Sequence, residues 1–370
     1  MRPHLLVTND FPPKIGGIQN YLWELWRRLP PDGVTVLTTP YRGAATFDAA
    51  APMRIVRTRE PVLLPHSGLI RRIRSLASEV GAEMVLLDPA LPLGALGPRL
   101  GLSYGVVLHG AEVAIPARLA GLTTLMARVL RSASLIISAG GYAAAEAERC
   151  AGTALPIVEV PPGVDTERFV PRDDGERQST RTSYGFDDGP LVVSLSRLVP
   201  RKGFDTVISA VSDLARCHPG LALAIGGAGR DRARLERLAR DSAATVRFVG
   251  RVDAEELPQF MAMGDVFAAP CRSRWAGLEQ EGFGIVFAEA AACGVAAVAG
   301  RSGGSHEAVW HGQTGLVVDR PDKATEVAGA ISQLLSDRAR RFEMGTAARA
   351  AATEHFAYDT LAQGLAAALA

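Results

Sequence analysis

Short apolar runs, each closed by glycine, proline or small polar residues, alternate along the chain with longer stretches of helical period. In the first half the runs are Leu5–Thr8, Val34–Leu37, Ile55–Val56, Met84–Leu87 and Val106–Leu108. In the second they are Leu191–Leu195, Leu221–Ile225, Val246–Val249, Val266–Ala269 and Val295–Ala299. Continuous apolar runs of this kind read as strands buried on both faces. Between them, apolar positions such as Ile18, Leu22, Leu25, Trp26 and Leu29 trace one helical face. Helices are predicted over Asp205–Leu214, over Ile285–Ala292, after the glycine loop Ser302–Glu307, and through the alanine-rich tail from Lys323 to Ala370. Such alternation predicts an α/β protein with mostly parallel sheets, whose ligands sit beyond the carboxyl ends of the strands.

The pattern is interrupted by the stiff segment Val160-Pro-Pro-Gly-Val-Asp165 and a polar run from Arg172 to Ser183. With 370 residues to place, two Rossmann-sized domains are expected. The expected bounds are residues 1–170 and 171–355, with residues 356–370 forming a helix that packs back on the first domain. A net charge of +1, from 40 basic and 39 acidic residues, gives no general electrostatic case for nucleic acid. The cysteines, Cys150, Cys217, Cys271 and Cys293, form no C-x-x-C pair and read as reduced thiols without zinc. No signal peptide and no membrane span is evident, so a cytoplasmic location is expected, with at most peripheral contact at the inner face of the plasma membrane. One segment bears on that contact. Between Arg57 and Arg74, apolar residues interleave with Arg71, Arg72 and Arg74. This is either a solvated helix face or a surface for anionic lipid.

Candidate chemistry gathers at strand ends. Glu281 lies beside Gly282 and Gly284, just before the helix that carries Glu289. A helix N-terminus suits an anion such as a diphosphate, and glycines let a ligand approach the backbone. Arg197 and Lys202 flank a proline turn after Leu191–Leu195, a plausible phosphate site. His109-Gly110 follows Val106–Leu108 directly. Taken singly, these motifs are equally compatible with a capped core helix, an exposed charged loop and a structural histidine. A glycosidase pair of Glu281 and Glu289 is disfavoured, because eight residues of helix rise about 12 Å, more than the ~5–9.5 Å such pairs require.

Together the motifs resemble the retaining glycosyltransferases of family 4, which have the GT-B fold of two Rossmann-like domains facing across a cleft. The resemblance spans nearly the whole chain. It rests on Asn9-Asp-Phe-Pro-Pro with Gly16-Gly-Ile18, His109-Gly110, Pro162-Gly-Val-Asp165, Ser196–Gly203, Gly250-Arg251, Glu281-Gly-Phe-Gly with Glu289, and Gly303-Gly304. The segments Thr8–Pro13 and Leu198–Lys202 are similar to those of actinobacterial GDP-mannose-dependent phosphatidylinositol mannoside mannosyltransferases. The resemblance implies that Arg197 and Lys202 bind the donor diphosphate, Glu289 the ribose and Glu281 the sugar hydroxyls. It further implies that the backbone of Phe283, Gly284 and Ile285 meets phosphate or sugar, that Val252 lies at the base, and that Gly16 and Gly17 allow closure on the diphosphate. His109 would bond the sugar's 6-hydroxyl. No cofactor or metal is implied, since the cations stand where other transferases use one. The implied partners are a nucleotide sugar and a glycolipid or inositol-type acceptor. Departures fall in the first half: Ala111, where the similar mannosyltransferases have histidine, the segment Val113–Arg118, and Ser138–Tyr142. They leave room for a UDP-sugar-dependent relative with another acceptor, and for a non-catalytic nucleotide-sugar-binding relative.

Overall fold

The structure, a computed structural model, describes residues 1–119 and 121–370, with only the backbone described at Ala111 and Ala117. The Ala111 side chain, singled out above, therefore lies outside the described residues. The chain divides into two compact units: Met1–Gly163 with Tyr358–Ala370, and Val164–Ala357.

The first unit is built on a seven-stranded sheet. Its strands are β1 (His4–Thr8), β2 (Val34–Thr38), β3 (Arg54–Arg57), β4 (Met84–Asp88), β5 (Tyr104–Leu108), β6 (Leu135–Ser138) and β7 (Ile157–Glu159). All are parallel, in the order β3-β2-β1-β4-β5-β6-β7. β1, β2, β4 and β5 are buried along their whole length, which is why they read as unbroken apolar runs. Helix Ser67–Glu79 covers one face through Leu69, Ile73 and Leu76. Helix Gly17–Trp26 covers the other through Tyr21, Leu22, Leu25 and Trp26. The buried Trp26 indole donates to His4 Nε2 at 3.0 Å, so its one polar atom is satisfied. The last helix, Tyr358–Ala368, joins this second face, with Leu361 and Leu365 in the same core. Asn20 Nδ2 donates to Tyr358 Oη at 3.2 Å and Arg28 pairs with Asp359 at 2.7 Å.

The second unit repeats the plan with six parallel strands: β8 (Leu191–Leu195), β9 (Ala222–Gly226), β10 (Thr245–Gly250), β11 (Val266–Ala269), β12 (Ala297–Gly300) and β13 (Gly315–Val318). The order is β10-β9-β8-β11-β12-β13. Helices Phe204–Leu214 and Ala324–Ser336 lie on one face. Helices Leu257–Ala262 and Ile285–Ala292 lie on the other. In both sheets the first strand pairs with the second on one side and the fourth on the other. The strand order thus reverses at β1/β4 and at β8/β11, the switch points beyond which α/β sheets hold ligands.

Three expectations need correcting. β6, β7 and β13 were not among the predicted strands; β7 is short, only half-buried and follows Pro156, while β13 opens on a glycine. The loop Ser302–Glu307 does not lead into a helix. It continues as turns toward β13, because Ser305 Oγ donates to the Gly300 carbonyl and accepts from Ser302 N, folding the loop on itself. The tail is not one helical run: Asp337 caps a new helix, Arg338–His355, by accepting from Arg340 N at 2.9 Å, and a further break precedes Tyr358.

Candidate active site

In the second unit, β8 ends at Leu195 and the chain passes through Arg197 into a single 3-10 turn, Pro200–Lys202. Gly203 then starts the next helix at φ 74, and a Cβ there would meet the Pro270 carbonyl oxygen at 2.2 Å. Only glycine allows that approach, which seats the loop after β8 directly on the loop after β11. The second loop delivers Glu281. Lys202, 7 % exposed, places Nζ 2.8 Å from Glu281 Oε2, and Arg201 pairs with the same oxygen. Burial pushes the Glu281 carboxyl up, but the charges of Lys202 and Arg201, with their hydrogen bonds, outweigh it and hold the group below the usual carboxylate range. The Glu281 carbonyl accepts from Gly304 N at 3.1 Å, so the loop after β12 is tied to the same place.

Arg197 is not among the ion pairs of this cluster. Its side chain is exposed and makes no hydrogen bond or ion pair among the described residues. Arg201, quoted in the sequence motif but given no role there, stands in the pair instead. Before Glu281, Arg274 and Glu279 close a tight loop with a 2.9 Å ion pair, and Trp275 and Ala276 at its tip both have φ 51. That left-handed backbone is uncommon for residues with a Cβ.

Helix Ile285–Ala292 begins at Gly284, whose φ is 86. A Cβ there would lie 2.8 Å from the Phe287 ring and 3.1 Å from the Ser305 carbonyl oxygen, so the residue must be glycine. The Phe283 ring is buried against Phe356, with centroids 5.8 Å apart, which leaves its main chain as the part able to meet a ligand. Val252 is half-buried against the same core. Glu289, the fifth residue of this helix, is half-buried and has no hydrogen-bond or ion-pair partner among the described residues. Burial pushes its carboxyl up to about 7, opposed only by the charge of Arg168. A carboxylate so placed is a vacant acceptor for hydroxyl donors.

In the first unit, His109 follows the end of β5. Its Nε2 lies 2.6 Å from Oδ1 of Asp88, the last residue of β4, and its ring meets Tyr21 edge-on at 5.4 Å. Glu112 accepts from the backbone N–H groups of His109 and Gly110, the latter at 3.0 Å, which fixes the turn beyond the strand. Gly16 precedes helix Gly17–Trp26, and a Cβ on it would meet Gln19 Oε1 at 2.1 Å. Arg71 and Arg72 are exposed on helix Ser67–Glu79, Arg72 donating to the Arg57 carbonyl at 3.3 Å; Arg74 is also exposed and donates to the Leu100 and Arg99 carbonyls at 2.7 and 2.8 Å. Among the described residues no three His, Cys, Asp or Glu side chains gather as a metal site, and no helix is long and apolar enough to cross a membrane.

Comparison with known proteins agrees with this architecture. Residues 176–351 match the family described as glycosyl transferases group 1. The chain is 41 % identical over 374 residues to a GDP-mannose-dependent alpha-(1-6)-phosphatidylinositol monomannoside mannosyltransferase of Mycobacterium tuberculosis, covering 98 % of this chain and 96 % of that one. It is 33 % identical over 371 residues to a GDP-mannose-dependent monoacylated alpha-(1-6)-phosphatidylinositol monomannoside mannosyltransferase of Corynebacterium glutamicum, covering 98 % and 97 %. Among solved structures it shares its fold with Anabaena HepE in complex with UDP, at a TM-score of 0.81 and 23 % identity, covering 100 % of this chain and 99 % of that one. With two parallel Rossmann-like sheets and identity of this extent along its whole length, the chain belongs to the group 1 glycosyltransferases of GT-B fold.

Proposed function

We propose that the protein transfers mannose from GDP-mannose to a phosphatidylinositol mannoside, retaining the anomeric configuration and needing no metal. The observation that carries this reading is the length-wide identity to the mycobacterial mannosyltransferase, at 41 % over 98 % of the chain. The chemistry of the second unit is in keeping with it. Breaking a sugar–phosphate bond leaves negative charge on the departing diphosphate. Lys202 and Arg201, both beside Glu281, supply fixed positive charge at a strand end, where it lowers the barrier most if water is excluded. On this reading Arg197, free of internal partners, swings onto the diphosphate from solvent. Glu281 orients the sugar hydroxyls, and Glu289 accepts the ribose hydroxyls. The amides of Phe283, Gly284 and Ile285 face phosphate or sugar, Val252 the base, and His109 the sugar. The leaving phosphate takes the acceptor's proton, so no protein nucleophile is required.

For the acceptor we propose a lipid at an anionic membrane surface, touched by Arg71 and Arg72. The two arginines stand exposed on a helix whose opposite side, Leu69, Ile73 and Leu76, is committed to the core. Equilibrium binding tests the donor half of the reading. GDP should bind at least about tenfold more tightly than UDP, a difference of ~1.4 kcal/mol. Equal affinity, or preference for UDP, would favour a UDP-sugar donor instead.

A further inference from the structure

Thr8 and Asp88 end β1 and β4, the two strands at which the first sheet reverses its order, and they pair with each other in register. Asp88 is 1 % exposed. Its Oδ2 accepts from Thr8 Oγ1 at 2.5 Å and its Oδ1 lies 2.6 Å from His109 Nε2. Thr8 Oγ1 in turn accepts from Asp10 N at 2.8 Å, which leaves the hydroxyl hydrogen for Asp88. Three adjacent strand ends are thereby joined in one line: the Asp10 amide, Thr8, Asp88 and the imidazole. A buried carboxylate at this distance requires Nε2 to carry a proton and fixes the plane of the ring. Only Nδ1 remains for a ligand.

We propose that Asp88 is the positioning residue for His109, holding the imidazole in its doubly protonated form so that Nδ1–H donates to an oxygen of the sugar substrate. The proposal rests on the reading that His109 meets the substrate, and it adds the charge state in which it does so. The groups around the ring favour that state. Asp88 approaches from β4, Glu112 from the turn after β5 and Asp10 from the loop after β1. Asp10 is shared with Lys14 at 2.6 Å and with Gln19. Tyr21, from helix Gly17–Trp26, is neutral, burial having raised its hydroxyl far beyond the usual range. Three carboxylates therefore face the imidazole against one lysine. Burial alone would lower the His109 pKa, but the charge and hydrogen bond of Asp88, then Glu112 and Asp10, reverse the sign and raise it. The protonated form is thus favoured over that of an ordinary histidine and is lost as pH rises through the raised value.

The test follows His109 by imidazole NMR, assigned by the signal missing in His109→Gln, alongside kcat/KM against pH for GDP-mannose. In Asp88→Asn the His109 midpoint should fall by at least about one unit, tenfold in proton affinity. The high-pH fall in kcat/KM should move down with it, leaving the variant at least about tenfold slower at pH 8. His109→Gln should retain the fold and lose that limb altogether. An unmoved midpoint in Asp88→Asn overturns the role of Asp88. A midpoint that falls while the rate profile stays put, or a limb that survives in His109→Gln, shows instead that His109 does not meet the substrate. Should Asp88→Asn fail to fold, Thr8→Val carries the same test. Without the Thr8 hydroxyl, the Asp88 carboxylate loses a hydrogen bond that competes with the imidazole for its charge, so here the His109 midpoint should rise; a midpoint that stays put or falls overturns the proposal.

Discussion

Lys202 Nζ lies 2.8 Å from Glu281 Oε2, and the two residues reach each other from the ends of adjacent strands at the switch point of the second sheet. The pair is nearly buried, so each member depends on the other for its charge. On the proposed reading a donor diphosphate would offer Lys202 a second anionic partner, and that competition sets the first expectations.

Lys202→Ala should lower kcat at least about a hundredfold, or ~2.7 kcal/mol of transition-state stabilisation, with donor affinity reduced less. Steady-state kinetics with the nucleotide sugar checks this. A wild-type kcat would remove Lys202 from the chemistry.

Glu281→Ala should destabilise the free protein by about 3 kcal/mol, since it strands the nearly buried Lys202 and the neighbouring Arg201 without a counter-charge. Saturating nucleotide should recover part of the loss, because its diphosphate replaces the missing carboxylate. Urea unfolding with and without GDP measures both quantities. A variant as stable as the wild type would mean that the pair is inessential.

Burial raises the Glu289 carboxyl to about 7, opposed only by the charge of Arg168. If ribose hydroxyls bind its ionised form, nucleotide binding at pH 6 releases close to one proton. Affinity then falls about tenfold per pH unit below 7 and levels off above it. Calorimetry in buffers of different ionisation enthalpy reads the proton directly. Glu289→Gln should abolish the release; a release that persists would assign it to another group.

Arg71→Glu with Arg72→Glu should weaken binding to phosphatidylinositol-containing vesicles by several-fold or more, at ~1 kcal/mol per basic residue near the surface, and leave GDP binding unchanged. Arg74 is omitted because its guanidinium holds two carbonyls, of Leu100 and Arg99, at 2.7 and 2.8 Å, against the single 3.3 Å bond from Arg72 to Arg57, so replacing it disturbs the fold more. Vesicle flotation that ignores the double variant would exclude this helix as a contact.

Much of this was legible in the sequence. Leu191–Leu195, Val266–Ala269 and Ile285–Ala292 coincide with observed elements because each is a mostly apolar run, broken only by Ser194 in the first and Glu289 in the last. The pairing of Lys202 with Glu281 was not, since it depends on how the Gly203 backbone seats against Pro270, a contact between distant segments. Asp88 was missed although it ends the apolar run Met84–Leu87 just as His109 follows Val106–Leu108; the strand-end rule applies equally to both. The equivalence of Arg197 and Lys202, drawn from their flanking of one turn, dissolves in three dimensions: one is exposed and the other buried.

The most direct test of the central claim is transfer itself, with phosphatidylinositol monomannoside in vesicles as acceptor and matched concentrations of labelled GDP-mannose, UDP-glucose and UDP-N-acetylglucosamine as donors. The account predicts label in the lipid fraction from GDP-mannose alone, undiminished by a metal chelator. Label from a UDP-sugar in place of GDP-mannose, or no label from any donor, would contradict it.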